Sequence, residues 1–210
     1  MDSSKIIYLC FLSISLLFAV FGKKREAGLK VFPYLLGISL FTEILAEVMA
    51  VYDLNYYLLY HFYVPIEYSM WGAYFYLTID QKKIKQLILF SVFLFSGVCL
   101  FLSLKAVTIQ KFPSVQLNIE SILLVILAVV TIFTIKVEQN RSIFVRPVFW
   151  VCSGVLIYYT GITSFMGMYN FILVANKELL NLLRIYLLIV PNCILYTCLS
   201  IAFLCTMKMK

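Results

Sequence analysis

Three carboxylates stand inside long apolar runs of this chain: Glu43, Glu47 and Glu67. An ionisable side chain at membrane depth costs a few kcal/mol on insertion scales and marks a functional site by default. Glu43 and Glu47 are four residues apart, so they share one helical face. With a rise of about 1.5 Å per residue, Glu43 falls about 18 Å from the inner end of its helix and Glu67 about 17 Å from the outer end of its own. Both are near the midplane, and Glu47 is one turn nearer the outside. His61 is the sole histidine. It lies further out and six residues from Glu67, on a different side of an ideal helix. Pro65, between them, can bend that helix. Asn192 directly follows Pro191, and a proline at membrane depth frees a carbonyl one turn earlier. Tyr158, Tyr159, Thr160, Thr163 and Ser164 add hydroxyls at similar depth. The pattern predicts an outward-opening polar cavity in the outer half, lined by helices two, three, six and seven. Its expected ligand-binding residues are Glu43, Glu47, Glu67, His61, Tyr159, Thr160 and Asn192. The competing reading is that protonated carboxyls hydrogen-bonded to Tyr, Thr or backbone simply lock helices together.

Composition dictates the elements that carry these groups. Of 210 residues, 63% are hydrophobic and 13% charged, with a mean hydropathy of +0.99. Soluble domains are roughly half apolar and a quarter charged, so a soluble enzyme, a disordered chain and a nucleic-acid-binding domain are excluded as classes. Seven apolar stretches are separated by short charged breaks: 6–21, 31–52, 56–79, 87–104, 119–135, 148–174 and 182–207. Each approaches the ~20 residues of a spanning helix. The runs are too long for strands and lack the alternation of a membrane barrel. The expectation is an all-α polytopic membrane protein, residues 1–210 forming one transmembrane domain of seven helices. The positive cluster Lys23-Lys24-Arg25 follows the first run instead of preceding it, so that run reads as a retained helix and not a secretory signal. Asp53-Leu54-Asn55 makes a minimal turn that forces helices two and three to be antiparallel neighbours.

Lys and Arg set the orientation. Twelve of the 17 fall on one side, among them Lys23, Lys24, Arg25, Lys82, Lys83, Lys85, Lys136, Arg141 and Lys210. Lys5, Lys105, Lys111, Lys177 and Arg184 fall on the other. The richer side is expected to be cytoplasmic, with the N-terminus outside and the C-terminus inside. The net charge of +7 is thus a topology signal. All six cysteines lie within apolar spans, without metal-ligand spacing, and read as packing residues. Neither a cofactor nor a metal site is implied. Glu120 is expected at the outer start of helix five, where a negative group suits a helix N-terminus. Tyr52, Tyr56, Tyr57, Tyr60 and Tyr63 crowd the outer ends of helices two and three more densely than an interfacial belt requires.

An internal echo is present. Val31-Phe32-Pro33 and Val145-Arg146-Pro147 open helices two and six, and Val64-Pro65 and Val190-Pro191 lie in helices three and seven. This pairing would make two parallel three-helix repeats with helix four as linker, a known transporter device. The layout is similar to that of small sugar and vitamin transporters built three-plus-one-plus-three. The helix count and orientation are also similar to seven-helix receptors and rhodopsin-type proteins, although helix seven has no central lysine for a retinal Schiff base. The stretch His61 to Tyr68 and the sequence Pro147-Val148-Phe149-Trp150 resemble a group of uncharacterised bacterial seven-helix membrane proteins. That resemblance implies a multi-pass protein of the bacterial inner membrane and carries no activity.

Three functions fit the sequence. The foremost is a small transporter or permease binding a small molecule or ion. The second is a sensory or regulatory subunit passing a helix movement to a cytoplasmic or membrane partner. The third is an intramembrane lipid-modifying enzyme using carboxylate acid/base chemistry. The partners expected are the lipid bilayer, a small ligand and, in the second case, that signalling protein.

Overall fold

The computed structural model describes residues 3–22, 26–104, 112–135, 142–175 and 177–208. The orientation charges at Lys23, Lys24, Arg25, Lys105, Lys111, Lys136, Arg141 and Lys210 lie outside them, as do the side chains of Tyr169, Lys177 and Lys208.

Every described element is helical. The order is α1 (Ser3–Phe21), a 3-10 turn (Gly28–Val31), α2 (Phe32–Val51), α3 (Tyr57–Thr78), α4 (Lys82–Ser103) and α5 (Ser114–Thr134). A second 3-10 turn (Ile143–Val145), α6 (Pro147–Ala175), α7 (Lys177–Arg184), a π-helical turn (Ile185–Ile189) and α8 (Val190–Lys208) follow. The last three run on from one another and occupy the expected seventh stretch. Five segments are long and apolar enough to cross a membrane: Gly28–Val51, Lys82–Ser103, Ser114–Thr134, Pro147–Met168 and Leu182–Thr206. These lengths and compositions are those of a multi-pass membrane protein. Two of the seven expected spans fall short of that standard. The apolar part of α1, Lys5–Phe21, is shorter. α3 is 22 residues long, but it is not among the segments apolar enough to cross, because His61, Glu67 and its tyrosines interrupt its apolar surface.

Local chemistry explains the boundaries. Pro33 sits in the first turn of α2 and Pro147 begins α6, where a missing N–H costs nothing. Between α2 and α3, Asp53 takes a φ of 54°, a left-handed conformation that short polar side chains tolerate. Asn55 Oδ1 accepts the backbone N–H of Tyr57 at 3.0 Å, so the expected tight turn is present. The π-helical turn ends just before Pro191. It widens the helix where proline cannot supply its own N–H.

The helices close into a ring. α1 packs on α2, α2 on α3, α3 on α5, α5 on α6, α6 on α8, and α8 back on α1. α4 packs chiefly on α3, outside that ring, and leaves Phe90, Phe93 and Phe101 exposed. Two glycines of α6 permit its close approach to the last helix. A Cβ on Gly154 would lie 3.0 Å from Cys198 Cβ, and one on Gly161 would lie 2.5 Å from the Leu187 carbonyl oxygen in the π-helical turn. Away from the Asp53 turn, buried aromatic rings fill the interior. Phe32 meets Trp71 at 5.3 Å, Tyr74 at 5.0 Å and Phe203 at 6.0 Å, and Phe75 stacks on Trp71 at 6.3 Å.

Candidate ligand cavity

The ring encloses a cavity of about 210 Å³. Its walls come from α1, α2, α3, α6, the π-helical turn and α8, with Leu117 of α5, Phe112 and Arg184 toward the Asp53 end. Trp71 forms part of the floor, and the aromatic plug lies beneath. Each side chain reaches the cavity through its helical register. Ser39 and Glu43 are four apart on α2, as are Tyr63, Glu67 and Trp71 on α3, and Asn192, Tyr196 and, three further on, Leu199 on α8. Such spacing stacks residues on one face.

Glu67 is the best-held carboxyl. The Tyr159 hydroxyl donates to its Oε1 at 2.9 Å, and Tyr63 is also within hydrogen-bonding reach. The indole N–H of Trp71 faces the same carboxyl but does not close to hydrogen-bond geometry. Glu43 accepts the Tyr60 hydroxyl at 3.4 Å, with Tyr8 of α1 close enough to contribute. Ser39 and Tyr63 share a hydrogen bond of 2.7 Å. Asn192 lines the wall, and its Oδ1 is buried without a donor. Glu47 stands one turn beyond Glu43 and pairs with Lys5 Nζ at 2.7 Å, tying α1 to α2 beside the cavity.

Glu43, Glu67 and Asn192 therefore converge on the cavity, whereas Tyr159 and Glu47 do not line it: Tyr159 touches Glu67 from behind and Glu47 pairs with Lys5 beside it. The other two expected residues lie elsewhere. His61 is buried against α4, with Nδ1 3.1 Å from Ser103 Oγ. Gln116 Nε2 donates to that same Oγ at 3.2 Å and to the Cys99 carbonyl at 3.3 Å. The six-residue spacing from Glu67 directs His61 into this α3–α4–α5 junction, and Pro65 does not bring it back. Thr160 is exposed and spends its hydroxyl on the Leu156 and Ile157 carbonyls of its own helix. It follows Tyr159 by one residue, a rotation of about 100° away from the interior.

Glu120 also departs from expectation. α5 begins at Ser114, so Glu120 is well past the first turn. It is fully buried, and both its carboxyl oxygens lack hydrogen-bond partners. It lies within electrostatic reach of Glu67.

Comparison with family models, with curated proteins and with solved structures finds no match to this chain. Function must then be read from the cavity itself.

The sequence reading missed α1 as a wall, because Lys5 and Tyr8 look like ordinary interfacial residues. Helical periodicity was the usable signal for Ser39, Tyr63 and Trp71, each one turn from a carboxylate. Among the described residues, no group of three or more His, Cys, Asp or Glu is placed to hold a metal ion. The arrangement can accept hydrogen bonds at two carboxyls and one amide oxygen, with aromatic side chains among the lining around them. A second recess of about 220 Å³ lies at the far end, lined by Thr78, Asp80, Thr131, Thr134 and Arg146. It shares no lining residue with the first cavity.

Proposed function

We propose that this chain is a seven-span membrane protein, N-terminus outside, that binds a small ligand in its outer cavity and acts as a small transporter. The observation carrying this reading is the convergence of Glu43, Glu67 and Asn192, from three helices, on one cavity within the ring. A small apolar bundle gains nothing in packing from lining a void with carboxyls, and buried polar groups left unmet cost about 1–3 kcal/mol each. A bound ligand that meets them offsets that cost.

The order of helix contacts supports the three-plus-one-plus-three layout. α2 packs between α1 and α3, α6 packs between α5 and α8, and the halves join through α1 with α8 and α3 with α5. α4 stands outside, as a linker would. Two recesses with no shared lining residue fit alternating access, in which one opens as the other closes. The contact order also fits a receptor-like bundle, and the sensory reading shares the same cavity.

Reconstitution of the purified protein as the sole protein in liposomes tests the choice. Uptake of a ligand that binds the cavity, lost in Glu67→Gln at equal reconstitution, supports transport. Binding with no flux, together with co-purification of a signalling protein, supports the sensory reading.

A further inference from the structure

We propose that the cavity recognises its ligand through a protonated amine, held among Glu67, Glu43 and Asn192 between tyrosine and tryptophan rings. The proposal rests on the cavity being a ligand site and adds the chemistry of what enters it.

Donors and acceptors around Glu67 favour an ammonium group. Oδ1 of Asn192 is a buried acceptor with no donor. The carboxyls of Glu43 and Glu67 offer further lone pairs beyond those their phenols occupy. An ammonium group carries three donors and no acceptor, so it fits this surplus. An alcohol brings one donor, and a carboxylate brings none. Charge points the same way. Among the described residues, neither Glu43 nor Glu67 forms an ion pair, because the amine of Lys5 is engaged with Glu47 at 2.7 Å. An ammonium brings the countercharge and the donors that a carboxyl pair here can use, and a ligand carboxylate brings neither. Lys5 and Arg184 also line the cavity; Lys5 is paired with Glu47, and Arg184 precedes Asn192 by eight residues, about two turns toward the Asp53 end.

The wall suits a cation as well. Tyr63, Trp71, Tyr158 and Tyr196 line the same space. Aromatic faces attract cations, more strongly once water is excluded. Trp71 is also held by edge contacts to Phe32 at 5.3 Å and to Tyr159 at 6.1 Å, so its face is fixed before a ligand arrives. The cavity volume of about 210 Å³ is below the ~300–1000 Å³ of pockets for drug-sized ligands. The amine-bearing molecule is accordingly small.

The test is a binding titration on the full chain in an uncharged maltoside detergent. Trp150→Phe leaves Trp71 as the single tryptophan, and its fluorescence is read against n-butylammonium, n-butanol and butanoate. The ligand-dependent unfolding temperature supplies a second readout. The expected result is saturable binding of n-butylammonium at least about tenfold tighter than of n-butanol, with butanoate weakest. Glu67→Gln should weaken the amine about tenfold and leave n-butanol unchanged. Glu43→Gln is the second variant, should Glu67→Gln fail to fold. Equal binding of amine and alcohol, or tighter binding of butanoate, overturns the amine proposal and leaves the cavity a ligand site. No saturable response to any of the three by either readout overturns the amine proposal and removes support from the ligand-site reading as well.

Discussion

Tyr159 on α6 and Glu67 on α3 are joined by a hydrogen bond of 2.9 Å, across the interior of the ring. Their helices do not otherwise form one of its principal contacts. This bond couples the two halves of the bundle at the cavity itself. It also fixes the carboxyl on one side. Tyr159→Phe keeps the ring and deletes the donor. A hydrogen bond to an ionisable partner contributes about 1.5–3 kcal/mol, so chemical denaturation in detergent should show a loss of that order. Ligand affinity should fall with it. An unchanged midpoint would show that the bond contributes nothing.

His61 and Thr160 provide the control. Neither faces the cavity, so His61→Gln and Thr160→Ala should bind ligand as the native chain does. His61→Gln should still cost stability, because it disturbs the Ser103–Gln116 junction. Ligand titration of the folded variants checks this. A large affinity loss in either would place that residue in the site.

Two glycines of α6 should respond oppositely. Gly161→Ala brings a methyl group onto the Leu187 carbonyl, and overpacking of this kind costs about 1–3 kcal/mol. A Cβ on Gly167 would meet nothing within 4 Å, so Gly167→Ala should be neutral or stabilising by up to about 1 kcal/mol, the helix-propensity gain. Thermal unfolding of both variants is the check, and equal destabilisation would contradict the close contact at Gly161.

Phe203 closes the aromatic plug against Phe32 at 6.0 Å. Phe203→Ala removes a fully buried ring and should cost about 3–5 kcal/mol. If the plug is the barrier between the two recesses, the variant should also leak small solutes in liposomes. A destabilised but tight variant would mean that the barrier lies elsewhere.

The polarity and the prolines carried much of this architecture in plain view. The apolar runs gave the helices because an apolar backbone segment in lipid must satisfy itself, and Asp53-Leu54-Asn55 gave the α2–α3 turn. Glu43, Glu67 and Asn192 stand out in the sequence because each is expensive at its depth, and the structure brings the three to one cavity. Rotation about the helix axis is less legible. Depth alone groups Thr160 with Tyr159, and one residue of rotation carries it to the outside. Pro65 obscures the face of His61, although its spacing from Glu67 already directs it elsewhere. The apolar run puts Glu120 at the start of α5, whereas the helix begins at Ser114 and buries it. The π-helical turn left no signal beyond Pro191, since its width depends on the packing of Leu187 against Gly161.

The central claim is that Glu67 stands in a cavity that water and small cations reach from the outside, and thiol accessibility tests it most directly. In a background with the native cysteines replaced, Ile162→Cys lines the cavity and Ile126→Cys faces outward from α5. The membrane-impermeant reagent 2-(trimethylammonium)ethyl methanethiosulfonate, whose quaternary charge cannot be lost, is applied to sealed cells from the outside and should modify the thiol at position 162 and spare the one at position 126. The reaction should slow when n-butylammonium is present. Failure of the reagent to modify position 162 in a folded protein, or equal modification of both positions, would contradict an outward-open cavity at Glu67.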